Sequence, residues 1–156
     1  MWKQLQRYRA LDPEARKTFR RAAMLLPAVK ASLRLRGFKK TRESLEKYQS
    51  RGSAAAPPPA GASLETVLGI SHMVRAAAHY GLVRASCLEE SLTLWHVLRK
   101  LGYAAKLRIG VRKTGEKFEA HAWVEHEGAA LNQAEEMHRH YAAFESAFVE
   151  QGSEGE

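Results

Sequence analysis

The spacing of polar and apolar positions changes character along this chain, from a helical period to a strand period. From Glu14 to about Leu35, apolar residues recur at helical spacing: Phe19, Ala22, Ala23, Leu26, Val29 and Leu33. Asp12 suits the N-cap and Pro13 the first helical position. Pro27 falls inside the pattern and is expected to kink or break the helix. A second short helix is expected over Thr41 to Tyr48. Residues 51–62, RGSAAAPPPAGA, read as a linker, because three successive prolines cannot continue a helix. Beyond it, Ser63 can cap a helix that runs to about Tyr80 and ends at Gly81. Leu64, Val67, Leu68, Ile70 and Val74 are expected on or near its inner face.

The next helix carries a stronger start signal. Ser86 followed three residues later by Glu89 fits a capping box and places Cys87 in the first turn. Leu88, Leu92, Trp95 and Leu98 form the expected buried stripe, and Gly102 ends the helix. Alternation then takes over. Leu107, Ile109 and Val111 fall on one face and Lys106, Arg108 and Arg112 on the other, which predicts a strand. KTGE makes a turn into a second strand, Phe118 to Glu125; HEG makes another turn into a short third, Ala129 to Asn132. A closing helix is expected over about Glu135 to Val149. The prediction is an α+β fold, in which a helix bearing Cys87 packs on a small antiparallel sheet bearing His121, preceded by N-terminal helices. The expected division is a helical segment 1–50, the linker 51–62 and a core 63–150.

Composition narrows the field. The 156 residues suit one compact domain, and 45% hydrophobic content is ordinary for a globular protein. No apolar run approaches the roughly 18 residues of a membrane span, and AAMLLPAV at 22–29 sits too far in for a signal peptide. A single cysteine cannot form an internal disulfide, so nothing points to secretion, and a cytoplasmic location is expected. The net charge of +8 is concentrated in residues 1–52. It would suit nucleic acid, an anionic membrane surface or an acidic polypeptide. No helix-turn-helix, zinc-finger or RNP-like motif accompanies it, so nucleic acid is not expected as a partner and a membrane surface is a weak candidate. A solvated basic helical face is the plainest account of the charge.

The chemistry centres on Cys87 and on His121, which follows it by 34 residues on the second strand. A thiol attacks as its thiolate, and the first turn of a helix favours negative charge through its unpaired amides and dipole. The Cys87 N–H is also a natural oxyanion donor. His121 would take the thiol proton and return it to a leaving amine. Glu89 and Glu90 oppose a thiolate one turn away. A lone cysteine is more commonly a small buried hydrophobe than a nucleophile. His138 and His140 have an HxH spacing without an evident third or fourth ligand, so neither a metal nor another cofactor is expected. His72 and His79 read as surface or packing residues, and Trp123 as a packing residue beneath the site.

The ordered pieces CL..SL, L.IGVR, F.AHAWVE and G..LN, spread over roughly residues 64–145, closely resemble the leader-peptide proteases of lasso-peptide biosynthesis. These are papain- or transglutaminase-like cysteine peptidases. The resemblance implies that Cys87 is the nucleophile and His121 the general base and acid. It implies removal of a leader from a ribosomally made precursor, after which a separate ATP-dependent cyclase takes the core peptide. The family's third catalytic member is an Asp directly after the LN of the third strand, where this chain has Gln133; its only aspartate is Asp12.

Three readings of that departure stand open. Gln133, or its neighbour Asn132, could turn an amide oxygen to the His121 N–H, as an asparagine does in papain-like enzymes, although an amide stabilises an imidazolium less than a carboxylate does. Glu135 could reach in instead. Or the site is weakened, leaving a precursor-binding module of the same fold. Gln133 is the favoured substitute, giving Cys87, His121 and Gln133 as candidate catalytic residues. Leader recognition in this family uses a small winged-helix-like domain, and residues 1–50 look too short and purely helical for it. A separate leader-recognition protein is therefore expected as partner, beside the precursor and the cyclase.

Overall fold

The computed structural model describes residues 8–51, 63–132 and 142–143. Among the described residues, the elements run in the order α1 (Pro13–Arg51), α2 (Leu64–Tyr80), α3 (Cys87–Lys100), β1 (Ala105–Thr114), β2 (Lys117–His126), β3 (Ala129–Ala130) and β4 (Ala142–Ala143). The strands form one sheet in the order β3-β2-β1-β4. Asp12 caps α1 by accepting the Ala15 N–H at 2.9 Å. The helix runs through Pro27 and breaks at Gly37 instead (φ 76°, ψ 176°). Proline removes a single helical hydrogen bond, and Ala22, Leu26 and Val29 around it are all buried in the common core, which offsets that loss. At Gly37 the positive φ is open to glycine without a Cβ penalty. Thr41 Oγ1 braces the break, donating to the Gly37 carbonyl at 2.8 Å and meeting Ser32 Oγ at 2.8 Å.

Ser63 caps α2 and Gly81 ends it, as expected. The inner face differs: Val67, Ser71, Val74, Ala77 and Ala78 are buried, while Leu64 and Leu68 are 45% and 43% exposed. The buried set follows one stripe of small residues, which lets α2 approach its neighbours closely, and Leu68 lies a full 100° step from Val67. Gly81 sits so close to its helix that a Cβ there would stand 2.3 Å from the Ala77 carbonyl oxygen.

α3 is the central element. Every residue from Ser91 to Leu98 is buried, so the expected apolar stripe is in fact a helix enclosed on all sides. Its core partners come from all parts of the fold: Leu26 and Val29 of α1, Val67 and Val74 of α2, Val124 of β2 and Leu131. α1 is thus packed into the same core as the helix that bears Cys87. Two of the buried polar side chains of α3 find partners on its own backbone and on α1. Thr93 Oγ1 donates to the Glu89 carbonyl at 2.8 Å, and His96 Nδ1 meets Gln49 Nε2 at 3.3 Å.

β1 and β2 pair along ten residues each, from Ala105 opposite His126 to Thr114 opposite Lys117. Both turns of the meander hold two residues. In the second, Glu127 and Gly128 both have positive φ (49° and 82°), the signature of a turn whose twist matches the strands it joins. β3 is shorter than expected and pairs only with Glu125 and His126. The largest correction falls on the expected closing helix: Ala142 and Ala143 form a strand beside Val111 and Gly110 of β1. Two alanines favour a helix locally, and the open edge of β1 overrides that preference. The rest of the expected helix, with Gln133, Glu135, His138 and His140, lies outside the described residues, as do residues 52–62 of the expected linker. No helix among the described residues is long and apolar enough to cross a membrane.

Candidate active site

The sequence starts α3 at Cys87, and it does so through a complete capping box. Ser86 Oγ accepts the Glu89 N–H at 3.4 Å, and the Glu89 carboxylate accepts the Ser86 N–H at 2.7 Å. The box consumes the third amide of the helix. The N–H groups of Cys87 and Leu88 have no intrahelical acceptor, as in any first turn, and the Cys87 side chain is exposed. An exposed thiol in a first helical turn, beside two available amide donors, has the parts for nucleophilic attack and oxyanion stabilisation.

The two glutamates one turn away oppose a thiolate less than their formal charges suggest. Glu89 is held by the Ser86 amide and lies 3.8 Å from Lys30 Nζ, whose ammonium also donates to the Arg84 carbonyl at 2.6 Å. Burial pushes the Glu90 carboxyl above its ordinary range, with Arg75 and a hydrogen bond to Asn132 pulling the other way.

α3 meets β2 through Ser91. Its hydroxyl donates to the Ala122 carbonyl at 2.9 Å and accepts the Asn132 amide N–H at 2.8 Å. Cys87 precedes Ser91 by one helical turn and shares its face of α3, and His121 directly precedes Ala122, its side chain alternating to the opposite face of β2 together with Trp123 and Glu125. The direction of the helix completes the placement. α3 leads into β1, whose first residue Ala105 pairs with His126, so the C-terminal end of α3 lies toward the His126 end of β2. Its N-terminal turn, with Cys87, lies toward the other end, past Ala122.

His121 is half-buried and its Nε2 is sealed from solvent. Its ring stacks on that of Trp123, 6.2 Å between centroids and 18° between planes. Its cross-strand partner is Gly110, which has no side chain to crowd the imidazole. Trp123 is 2% exposed, which fits a packing residue. It donates from Nε1 to Glu125 Oε1 at 2.9 Å, and Arg108 Nε donates to Glu125 Oε2 at 2.9 Å. The rotamer of the ring beneath His121 is therefore fixed by a salt bridge two residues further along the strand.

Asn132 is engaged elsewhere than the imidazole. Its Oδ1 accepts the Val124 N–H at 2.9 Å and its amide N–H goes to Ser91. It joins α3, β2 and the end of β3; Gln133, the favoured residue for orienting His121, lies outside the described residues. The histidines outside the site fall into place. His72 and His79 are exposed, and His96 is a buried packing residue whose pKa burial lowers to about 4, with Lys100 adding to the shift.

Residues 25–146, well over half of the chain, match a family described as the transglutaminase-like superfamily. The chain belongs to that superfamily. The helices packed on a small antiparallel sheet seen here are consistent with a transglutaminase-like α+β fold, with the N-terminal helix leading into it. No curated protein and no solved structure matches the chain. The match begins inside α1, upstream of the segment 64–145 that carries the motif resemblance, in keeping with the packing of Leu26 and Val29 against α3.

Sequence reasoning named Cys87 and His121 as candidates and put them on a helix start and a strand, where the structure has them, but it missed three residues packed around them: Ser91, Arg108 and Glu125. Ser91 carried a readable signal, since it is a hydroxyl one turn from Cys87 inside an otherwise apolar helix. Arg108 and Glu125 carried none, because alternating charged residues on a strand read as a solvated face.

Proposed function

We propose that this superfamily member is a cysteine peptidase that removes the leader from a lasso-peptide precursor and hands the core peptide to a cyclase. The observation that carries the reading is the Ser91–Ala122 hydrogen bond, which ties the turn after Cys87 to the residue after His121. The ordered motifs F.AHAWVE and G..LN support the choice of substrate class. In the reaction, the Cys87 thiol gives its proton to His121 and its sulfur attacks the scissile carbonyl carbon. The Cys87 N–H steadies the oxyanion. Collapse expels the amine of the core peptide, which takes the proton back from His121, and leaves the leader as a thioester on Cys87. Water then attacks that thioester and releases the leader as a carboxylate. Gln133 orients His121 in place of the family's aspartate. Water rather than an amine as acceptor separates this reaction from amide exchange, and the mass of the released leader distinguishes the two. The partners are the precursor, a separate leader-recognition protein and the cyclase, in the cytoplasm.

The chain's one aspartate, Asp12, is the cap of α1, and this favours a second reading: a precursor-binding module that has lost turnover. The test is cleavage of the cognate precursor, with the leader-recognition protein present, by wild type, Cys87→Ala and Gln133→Asp. Loss in Cys87→Ala with Gln133→Asp equal to or faster than wild type supports the peptidase and the role of residue 133. Inactive wild type rescued by Gln133→Asp supports the binding module.

A further inference from the structure

We propose that the open edge of β2 at Phe118 and Ala120 holds an extended stretch of the peptide substrate, which adds to the sheet as a strand running past Cys87. This rests on the peptidase reading and adds how the substrate is held. The register fixes which backbone groups face outward. Thr114 and Lys117 close a two-residue turn, so they exchange both backbone hydrogen bonds, as does every second pair beyond them. Lys117, Glu119, His121, Trp123 and Glu125 therefore bond to β1. Phe118, Ala120, Ala122 and Val124 turn their N–H and C=O to the opposite edge.

In the buried half of β2 these outward groups are taken. The Val124 carbonyl accepts the Leu131 N–H at 2.9 Å, its N–H donates to Asn132, and the Ala122 carbonyl accepts Ser91 Oγ. Past Ala122 the described residues supply no further partner. β3 stops after two residues, and no strand among the described residues pairs with the edge at Ala120 and Phe118. The ten-residue register is unbroken by a bulge and no proline interrupts it; the charged residues of this stretch, Lys117 and Glu119, lie on the face opposite Phe118 and Ala120.

Outward donors and acceptors that repeat every second residue of a strand complement another extended backbone. The location matches the chemistry. Cys87 lies one turn beyond Ser91 in the direction of Ala120, so a chain laid on this edge passes the thiol. Phe118, 74% exposed, is on the same sheet face as Ala122, the face against α3, and offers an apolar surface to a substrate side chain there.

Ala120→Pro removes the outward N–H while leaving the β1 ladder whole, since proline is tolerated on an edge strand. The variant should cleave the precursor with KM raised about tenfold, a loss of ~1.4 kcal/mol, while its Tm and its rate of Cys87 alkylation match wild type. Unchanged KM overturns the proposal. A Tm that falls without peptide also overturns it, because the chain's own residues would then occupy the edge. A second measurement needs no variant of the edge. Binding of a fluorescent precursor peptide to Cys87→Ala is followed as each peptide amide is N-methylated in turn. Strand addition predicts weakening at every second position, and a uniform or absent effect contradicts it. Alternating loss of binding with no cleavage by wild type would keep the strand site and remove the peptidase.

Discussion

α3 and β2 differ in how they are buried: α3 is buried through its middle with Cys87 exposed at its first turn, whereas β2 is buried at its second half and exposed at its first. From Ser91 to Leu98 and from Ala122 to Val124 the residues are buried, and the backbone and hydroxyl groups between the two elements are matched through Ser91 and Asn132. Cys87 and residues 115–120 are exposed. The buried stretches fix geometry. The exposed ones keep a thiol, first-turn amides and a strand edge available. Ser91, one turn from Cys87, locks that turn of α3 to β2.

The contrast predicts opposite responses to substitution. Leu92→Ala, at a fully buried position, should cost about 2–5 kcal/mol of stability in a denaturant titration. A cost below about 1 kcal/mol would mean that α3 is not the centre of the core. Ser91→Ala leaves the Ala122 carbonyl and the Asn132 amide without their partner, and should cost about 1–3 kcal/mol. It should also lower kcat for precursor cleavage, since Ser91 positions Cys87 against β2 without touching substrate. Rescue of both by Ser91→Thr, which restores the hydroxyl, separates this role from simple packing.

A gentler probe of the buried middle of α3 is pH. Burial and Lys100 lower the His96 pKa to about 4, whereas the unfolded chain titrates near 6.5. Between these values the unfolded state binds more protons, so His96 contributes stability above about pH 6.5 that is lost as the pH falls toward 4. Glu90, held up by burial, acts in the opposite sense. The Tm of His96→Gln should fall less than that of wild type between pH 7 and pH 4.5; an equal fall would place the acid sensitivity elsewhere. The smallest effect belongs to the exposed half of β2. Phe118→Ala should change stability by less than about 0.5 kcal/mol, and a larger loss would show that the hairpin tip is packed in solution.

Much of the fold was legible where local chemistry and tertiary structure agree. The Ser86–Glu89 capping box, the Ser63 cap and the two-residue turns are dictated within a few residues, and each stands where the pattern puts it. What failed depended on distant partners. Pro27 looked like a breaker because its own cost is visible in sequence, while the packing of Leu26 and Val29 is not. Ala142 and Ala143 carry no strand signal and pair only because β1 has an edge to offer. In the candidate site, a cysteine at a helix start and a histidine on a strand could be read directly, whereas the Arg108–Glu125 clamp on Trp123 arises from cross-strand register.

The most direct test of the central claim is the intact mass of the protein after brief incubation with precursor and an acid quench. The account predicts a covalent adduct equal to the leader minus one water, carried by wild type through Cys87 and absent from Cys87→Ala, followed by release of a leader with a free carboxylate. Leader released at the wild-type rate by Cys87→Ala would contradict it.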